Sequence, residues 1–121
     1  MSNEAVQLDS NALANLREMV GGDDAILSEI VTTFLSDAPR MLAALHSGID
    51  AGNPDQVRLN AHSLKGNAGD FGALHMAKLC LQLEMMGKTG DLNGAHSLAA
   101  QIAREYQGVA QALEDLLASL E

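Results

Sequence analysis

Apolar residues recur along this chain at helical spacing with few interruptions. Leu27, Phe34 and Met41 stand seven residues apart, and Val31, Ala38 and Leu45 interleave with them. That double spacing is the stripe of a helix buried along one side of a bundle. A longer stripe follows near the C-terminus: Leu92, Ala99, Tyr106, Leu113 and Leu120, with Ala95, Ile102, Val109 and Leu116 between them. It predicts close, near-antiparallel packing. Between and before these runs the punctuation is clear. Leu13, Leu16 and Val20 line a first short helix from 9 or 10 to 20, stopped by Gly21-Gly22. Asp23-Asp24 suits the N-terminus of the second helix, which should run to about 49. Pro39 cannot donate to the carbonyl of Leu35, so the spacing predicts one helix kinked there, with two shorter helices as the alternative. Asn53-Pro54-Asp55 caps and opens a third helix that ends near Gly69. After a turn through Asp70, Phe71 and Gly72, a fourth helix is predicted over 73–86, closed by Gly87, and a fifth over 92–120.

Composition sharpens this to an all-α fold. Ala and Leu dominate, and β-branched and aromatic residues are scarce. With 47% hydrophobic and only 2% aromatic residues, the core should be aliphatic. The length of 121 residues allows one helical domain with a real core, ordered from about 8 to 120. Seven basic and 16 acidic side chains give a formal charge of −9, which repels nucleic acid and anionic membrane surfaces. Cys80 is the single cysteine, so no internal disulfide forms. The polar start from Met1 to Ser10 has no signal-peptide character, and no apolar run reaches membrane-spanning length. A cytoplasmic monomer is the expectation.

The candidate chemistry lies on the third helix. At about 100° per residue, Val57, Ala61, Leu64 and Ala68 share one side and should face the core. His62 points roughly 130° away from that stripe by the same rule. Arg58, Lys65, Gly66 and Gly69 fall on the side of His62, so an acidic chain places two of its seven cations beside one imidazole. A neutral imidazole offers one nitrogen as a nucleophile while the other keeps its proton, and a hydrogen bond to that proton fixes the tautomer. Phosphoryl transfer needs an in-line approach and neutralised phosphoryl oxygens, which Lys65 could provide. Gly66 and Gly69 remove side chains that would block a partner, although close helix packing also accounts for glycine. Leu59 projects outward as a candidate docking contact. On the fourth helix Ala73, Ala77, Cys80 and Glu84 form one stripe; its small residues admit a close neighbour, and Glu84 could then accept the imidazole N–H.

The run Ala61-His62-Ser63-Leu64-Lys65-Gly66-Asn67-Ala68-Gly69-Asp70-Phe71-Gly72-Ala73 resembles the His-x-x-Lys-Gly core of histidine-containing phosphotransfer (HPt) domains. Leu79-Cys80-Leu81-Gln82-Leu83-Glu84 is similar to that family's fourth helix, and the upstream Gly-Gly-Asp-Asp, Phe34 and Asp37-Ala38-Pro39 also match. The likeness covers about 8–120. It implies an antiparallel four-helix bundle with an additional short N-terminal helix. It also implies that His62 takes a phosphoryl group from a receiver-domain aspartate and returns it to another, that Lys65 contacts the phosphoryl, and that Gly66 leaves room for the partner. Glu84 falls where the family often places a Gln or Glu bonded to the imidazole. Asn67 departs from the small residue often found after the glycine, which bears on partner choice. The partner would be the receiver domain of a response regulator or hybrid kinase, with Mg²⁺ in the receiver's own acidic pocket and no cofactor bound by this chain. No nucleotide site is expected, so the chain would be a carrier and not an enzyme.

Two other readings stay open: an adaptor that binds through the Leu59–His62 surface without chemistry, and a bundle metalloprotein. His46, His75 and His96 read as surface or boundary residues; no two histidines have the i, i+4 spacing of a helical metal site, and Cys80 has no CxxC partner. Cys80 reads as a small core residue and the methionines as packing filler. Asp70-Phe71-Gly72 spells a kinase triplet without the strands or loops that triplet needs.

Overall fold

A computed structural model describes residues 6–120. It contains five helices in the order α1 (Ser10–Met19), α2 (Asp24–Asp50), α3 (Pro54–Asp70), α4 (Leu74–Thr89) and α5 (Ala95–Ser119), and no strand among the described residues. The first three helices begin on side-chain caps. Asp9 accepts from the Ala12 N–H at 3.0 Å, Asp23 from Ala25 at 2.9 Å, and Asn53 from Gln56 at 3.2 Å. Each satisfies a backbone donor that the first helical turn leaves free. Pro54 then takes the first position of α3, where a missing N–H leaves no bond unmade.

Short turns reverse the chain between α2, α3, α4 and α5, so consecutive helices run antiparallel. Each packs on the next, and α5 closes the ring against α2. The short α1 lies over α2 and α3. The fold is therefore an all-α four-helix bundle with an additional N-terminal helix. Its core holds the expected stripes: Leu27, Val31, Phe34, Ala38 and Leu45 from α2, Val57, Ala61, Leu64 and Ala68 from α3, and Ala99, Ile102, Tyr106, Val109 and Leu113 from α5. Although aromatics are few, the core is not purely aliphatic. Phe34 packs against Phe71 (centroids 5.3 Å) and edge-on to Tyr106 (5.9 Å), so all three aromatic rings of the chain meet at one level of the bundle. In α1 only Leu16 is fully buried, while Val20 is half-buried in the turn beyond it.

The reading of the second element as one helix holds, and two other boundaries differ from the sequence reading. α2 is one continuous helix through Pro39, which lies on its exposed side, where the lost backbone bond faces water. α4 continues past Gly87 to Thr89 and ends on Gly90, whose left-handed backbone (φ 82°) makes the C-cap. Gly87 has a different task. A Cβ there would lie 2.8 Å from the Arg58 Cβ and from the Pro54 carbonyl, so its bare backbone lets α3 and α4 approach. α5 starts at Ala95, because Gly94 and the turn before it hold Leu92 outside the helix.

The turn between α3 and α4 is clamped by the N-terminal segment. The Asp9 N–H donates to the Gly72 carbonyl at 2.9 Å. Gly72 has φ 80°, and a Cβ on it would fall 2.6 Å from the Asp9 nitrogen. Only glycine fits both demands. The Asp70-Phe71-Gly72 triplet is thus a structural turn, with Phe71 buried in the aromatic cluster and Gly72 under the strap.

Candidate functional site

With Val57, Ala61, Leu64 and Ala68 sealed in the core, the opposite side of α3 faces outward and carries His62, whose side chain is 64% exposed. α3 and α4 form the most intimate helix pair of the bundle. Ala73, Ala77 and Cys80 keep the α4 side of that seam thin, and Gly87 removes the last obstruction against Arg58. Glu84 completes this stripe. It is the one buried charged residue among those described, its side chain only 5% exposed.

That carboxylate serves two partners on α3. Oε2 lies 2.9 Å from His62 Nδ1, and Oε1 lies 2.7 Å from Lys65 Nζ. The lysine approaches outside hydrogen-bond alignment, so the second contact is an ion pair and Oε1 keeps no aligned donor. The Lys65 ammonium, followed by the His62 contact, holds the Glu84 carboxyl below its ordinary range, against the opposing effect of burial. An ionised carboxylate can only accept. The proton of a neutral His62 ring therefore sits on Nδ1, and Nε2 presents its lone pair outward. Beneath the pair, burial pushes the Cys80 thiol up to about 12 despite nearby Lys65, so it stays protonated and inert.

Around the ring, an added Cβ at Gly66 or Gly69 would meet nothing within 4 Å. Neither glycine serves close helix packing, and both leave open space beside the imidazole. Leu59 is 56% exposed one turn before His62. Arg58 lies alongside but is turned to Asp55 at 3.4 Å. Sequence reasoning missed the contribution of α4 to this face: Leu81 and Met85 are both exposed large apolar residues flanking Glu84. The signal was an excess. Leu79, Cys80, Leu81, Leu83, Met85 and Met86 are more apolar positions than one buried face can hold, so Met85, like Met19 at the end of α1, is not packing filler.

The face is not a pocket. Two grooves of about 820 and 460 Å³ lie elsewhere, the larger between α4 and α5 beside His75 and Arg104, and neither is lined by His62, Lys65 or Glu84. His46, His75 and His96 are exposed; His46 stacks on His96, whose Nε2 lies 3.0 Å from Asp50 Oδ1. Among the described residues no three ligand-type side chains are placed to hold a metal ion, and no helix is long and apolar enough to cross a membrane.

The fold and site together define a class: a four-helix bundle that exposes an imidazole held from behind by a buried carboxylate. The comparisons give the family. The family model of the Hpt domain matches residues 29–121, and the chain belongs to that family. It is 27% identical over 111 residues to Histidine-containing phosphotransfer protein 1 of Arabidopsis thaliana, covering 90% of this chain and 72% of that protein. The crystal structure of histidine-containing phosphotransfer protein B (HptB) from Pseudomonas aeruginosa PAO1 superposes with a TM-score of 0.84 at 30% identity, over 96% of this chain and 98% of that one. The maize protein ZmHP2 has the same fold, with a TM-score of 0.76 at 24% identity over 95% and 85% of the two chains. Family membership gives the chain a general role in phosphorelay signalling, in which HPt proteins act as phosphocarriers alongside receiver domains.

Proposed function

We propose that His62 is the phosphoryl carrier: it accepts a phosphoryl group from a receiver-domain aspartate and passes it to another. The observation that carries this reading is the held imidazole, with Nδ1–H bound to buried Glu84 while the His62 side chain as a whole is 64% exposed. In the forward step Nε2 attacks the phosphorus of an aspartyl phosphate. An N–P bond forms, the P–O bond to aspartate breaks, and the carboxylate leaves with the electron pair. Mg²⁺ would be held in the receiver's acidic pocket. Lys65, one turn from the ring, would offer its charge to the phosphoryl oxygens. Gly66 and Gly69 would admit the receiver, and exposed Leu59, Leu81 and Met85 would form its apolar footing.

Charge distribution supports the same face. α3 and α4 carry four of the chain's seven cations (Arg58, Lys65, Lys78, Lys88) but only three of its 16 acids. An acidic partner meets least repulsion there. The test is incubation with a phosphorylated receiver carrying labelled phosphate. The label should transfer to this chain, be acid-labile and alkali-stable, and be absent from His62→Gln. A variant that labels like the wild type removes His62 from the reaction. Receiver binding without any label would favour the adaptor instead.

A further inference from the structure

We propose that His46 of α2 and His96 of α5 form a two-histidine site for one divalent ion of the nickel, copper and zinc group, which clips the two helices together. The inference goes beyond the carrier reading and does not depend on it. The fold brings together two imidazoles that the sequence keeps far apart. His46 lies one turn before the end of α2, and His96 is the second residue of α5. Their ring centroids are 6.4 Å apart, with the planes inclined by 26°. This is the one pair of imidazoles that meets among the described residues. Both side chains are exposed, so neither ring is there to fill the core.

A third residue gives the pair its chemistry. Asp50, one turn beyond His46 on α2, places Oδ1 3.0 Å from His96 Nε2. An ionised carboxylate only accepts, so a neutral His96 ring keeps its proton on Nε2 and leaves the Nδ1 lone pair free. Histidines that ligate metals are held in this way: one nitrogen donates its N–H to a carboxylate and the other binds the ion. Asp50 therefore stands behind the ligand and is not a ligand itself. Two imidazoles with water complete the coordination, which agrees with the absence, among the described residues, of any three ligand-type side chains placed around one point. Imidazole nitrogens sit about 2.0–2.1 Å from such an ion, and a tetrahedral one would draw the two rings together by roughly 1 Å. Exposed side chains can make that movement, and His46 is free to turn a nitrogen toward its neighbour. Nitrogen donors without thiolate suit nickel, copper and zinc, whereas Mg²⁺ prefers oxygen and has no claim on the pair. The last turn of α2 favours a cation, and Asp50 offsets the opposing N-terminus of α5.

The experiment titrates Zn²⁺ into the whole, chelator-treated chain by calorimetry and follows thermal unfolding in parallel. One ion should bind per chain and raise the unfolding midpoint, because it binds the native pairing and not the unfolded chain. Mg²⁺ at the same concentration should do neither. His46→Ala and His96→Ala should each weaken Zn²⁺ binding about tenfold or more, since the remaining imidazole binds without its neighbour. Asp50→Asn should weaken it by about tenfold through the lost support behind His96. His62→Gln should bind as the wild type does. If both single histidine variants bind Zn²⁺ as tightly as the wild type, it is an adventitious ion only and the proposal is overturned. A wild-type chain that takes up no Zn²⁺ overturns it equally. Ring-nitrogen NMR of the unaltered chain decides the matter even if a variant misfolds: the His46 and His96 signals should move together as Zn²⁺ is added, and signals that move only at His62 or His75 sink the assignment.

Discussion

Lys65 Nζ lies 2.7 Å from Glu84 Oε1, so the cation expected to reach outward for a phosphoryl group is turned inward against α4 in the unphosphorylated chain. The pairing links the site to the stability of the bundle. A carboxylate with 5% exposure would be costly alone; with an ammonium and an imidazole N–H beside it, it binds the two helices at their closest approach.

An acid dependence follows, with a definite sign. The Glu84 carboxyl is held below its ordinary 4.5, chiefly by Lys65. Its contribution to stability is complete above that value and is lost as pH falls through the lowered native one. Urea unfolding at a series of pH values should show the midpoint dropping below pH 4.5. Glu84→Gln should lose part of that slope. An equal slope in both would detach Glu84 from acid unfolding.

Two helical glycines should respond in opposite ways to alanine. At Gly66 a Cβ meets nothing within 4 Å, so Gly66→Ala should stabilise the fold by up to about 1 kcal/mol through helix propensity while slowing transfer to or from a receiver. At Gly87 the Cβ would sit 2.8 Å from Arg58 and Pro54 backbone atoms, so Gly87→Ala should cost about 1–3 kcal/mol by forcing α3 from α4. Denaturant midpoints and a transfer assay separate the two.

Leu59 and Leu81 stand in solvent on either side of the ring. Replacing either with serine should change stability by no more than about 0.5 kcal/mol. Each should raise the receiver concentration needed for half-maximal transfer. Unchanged transfer in the double variant would move the docking surface elsewhere.

Burial pushes the Cys80 thiol up to about 12 and leaves it no exposure. A thiol reagent at mildly alkaline pH should leave the native chain unmodified and label it once unfolded. Rapid native labelling would mean that the α3–α4 seam opens readily.

Much of this was legible from spacing. The stripes through Leu27–Leu45 and Ala95–Leu116 mark buried faces because a helix repeats its environment every three to four residues, and the same periodicity turns His62 outward. Even the approach of Glu84 could be read from the small residues of its stripe. Features set by partners across the bundle were not legible. Gly87 looked like a terminator because its reason, the backbone of Arg58, lies on another helix. Lys65 looked free because its true neighbour is far along the chain. The gathering of Phe34, Phe71 and Tyr106 is invisible to a composition that counts aromatics without placing them.

The Asp9 strap over Gly72 reaches further than its single hydrogen bond suggests. α4 departs from that turn, and the reach of Glu84 across to the imidazole depends on where α4 departs. A chain trimmed to begin at Ser10 would keep the residues of every helix, lose the cap of α1, and leave the turn at the root of α4 unanchored. Accuracy at the ring is thus guarded from far upstream, by a residue that never comes near it.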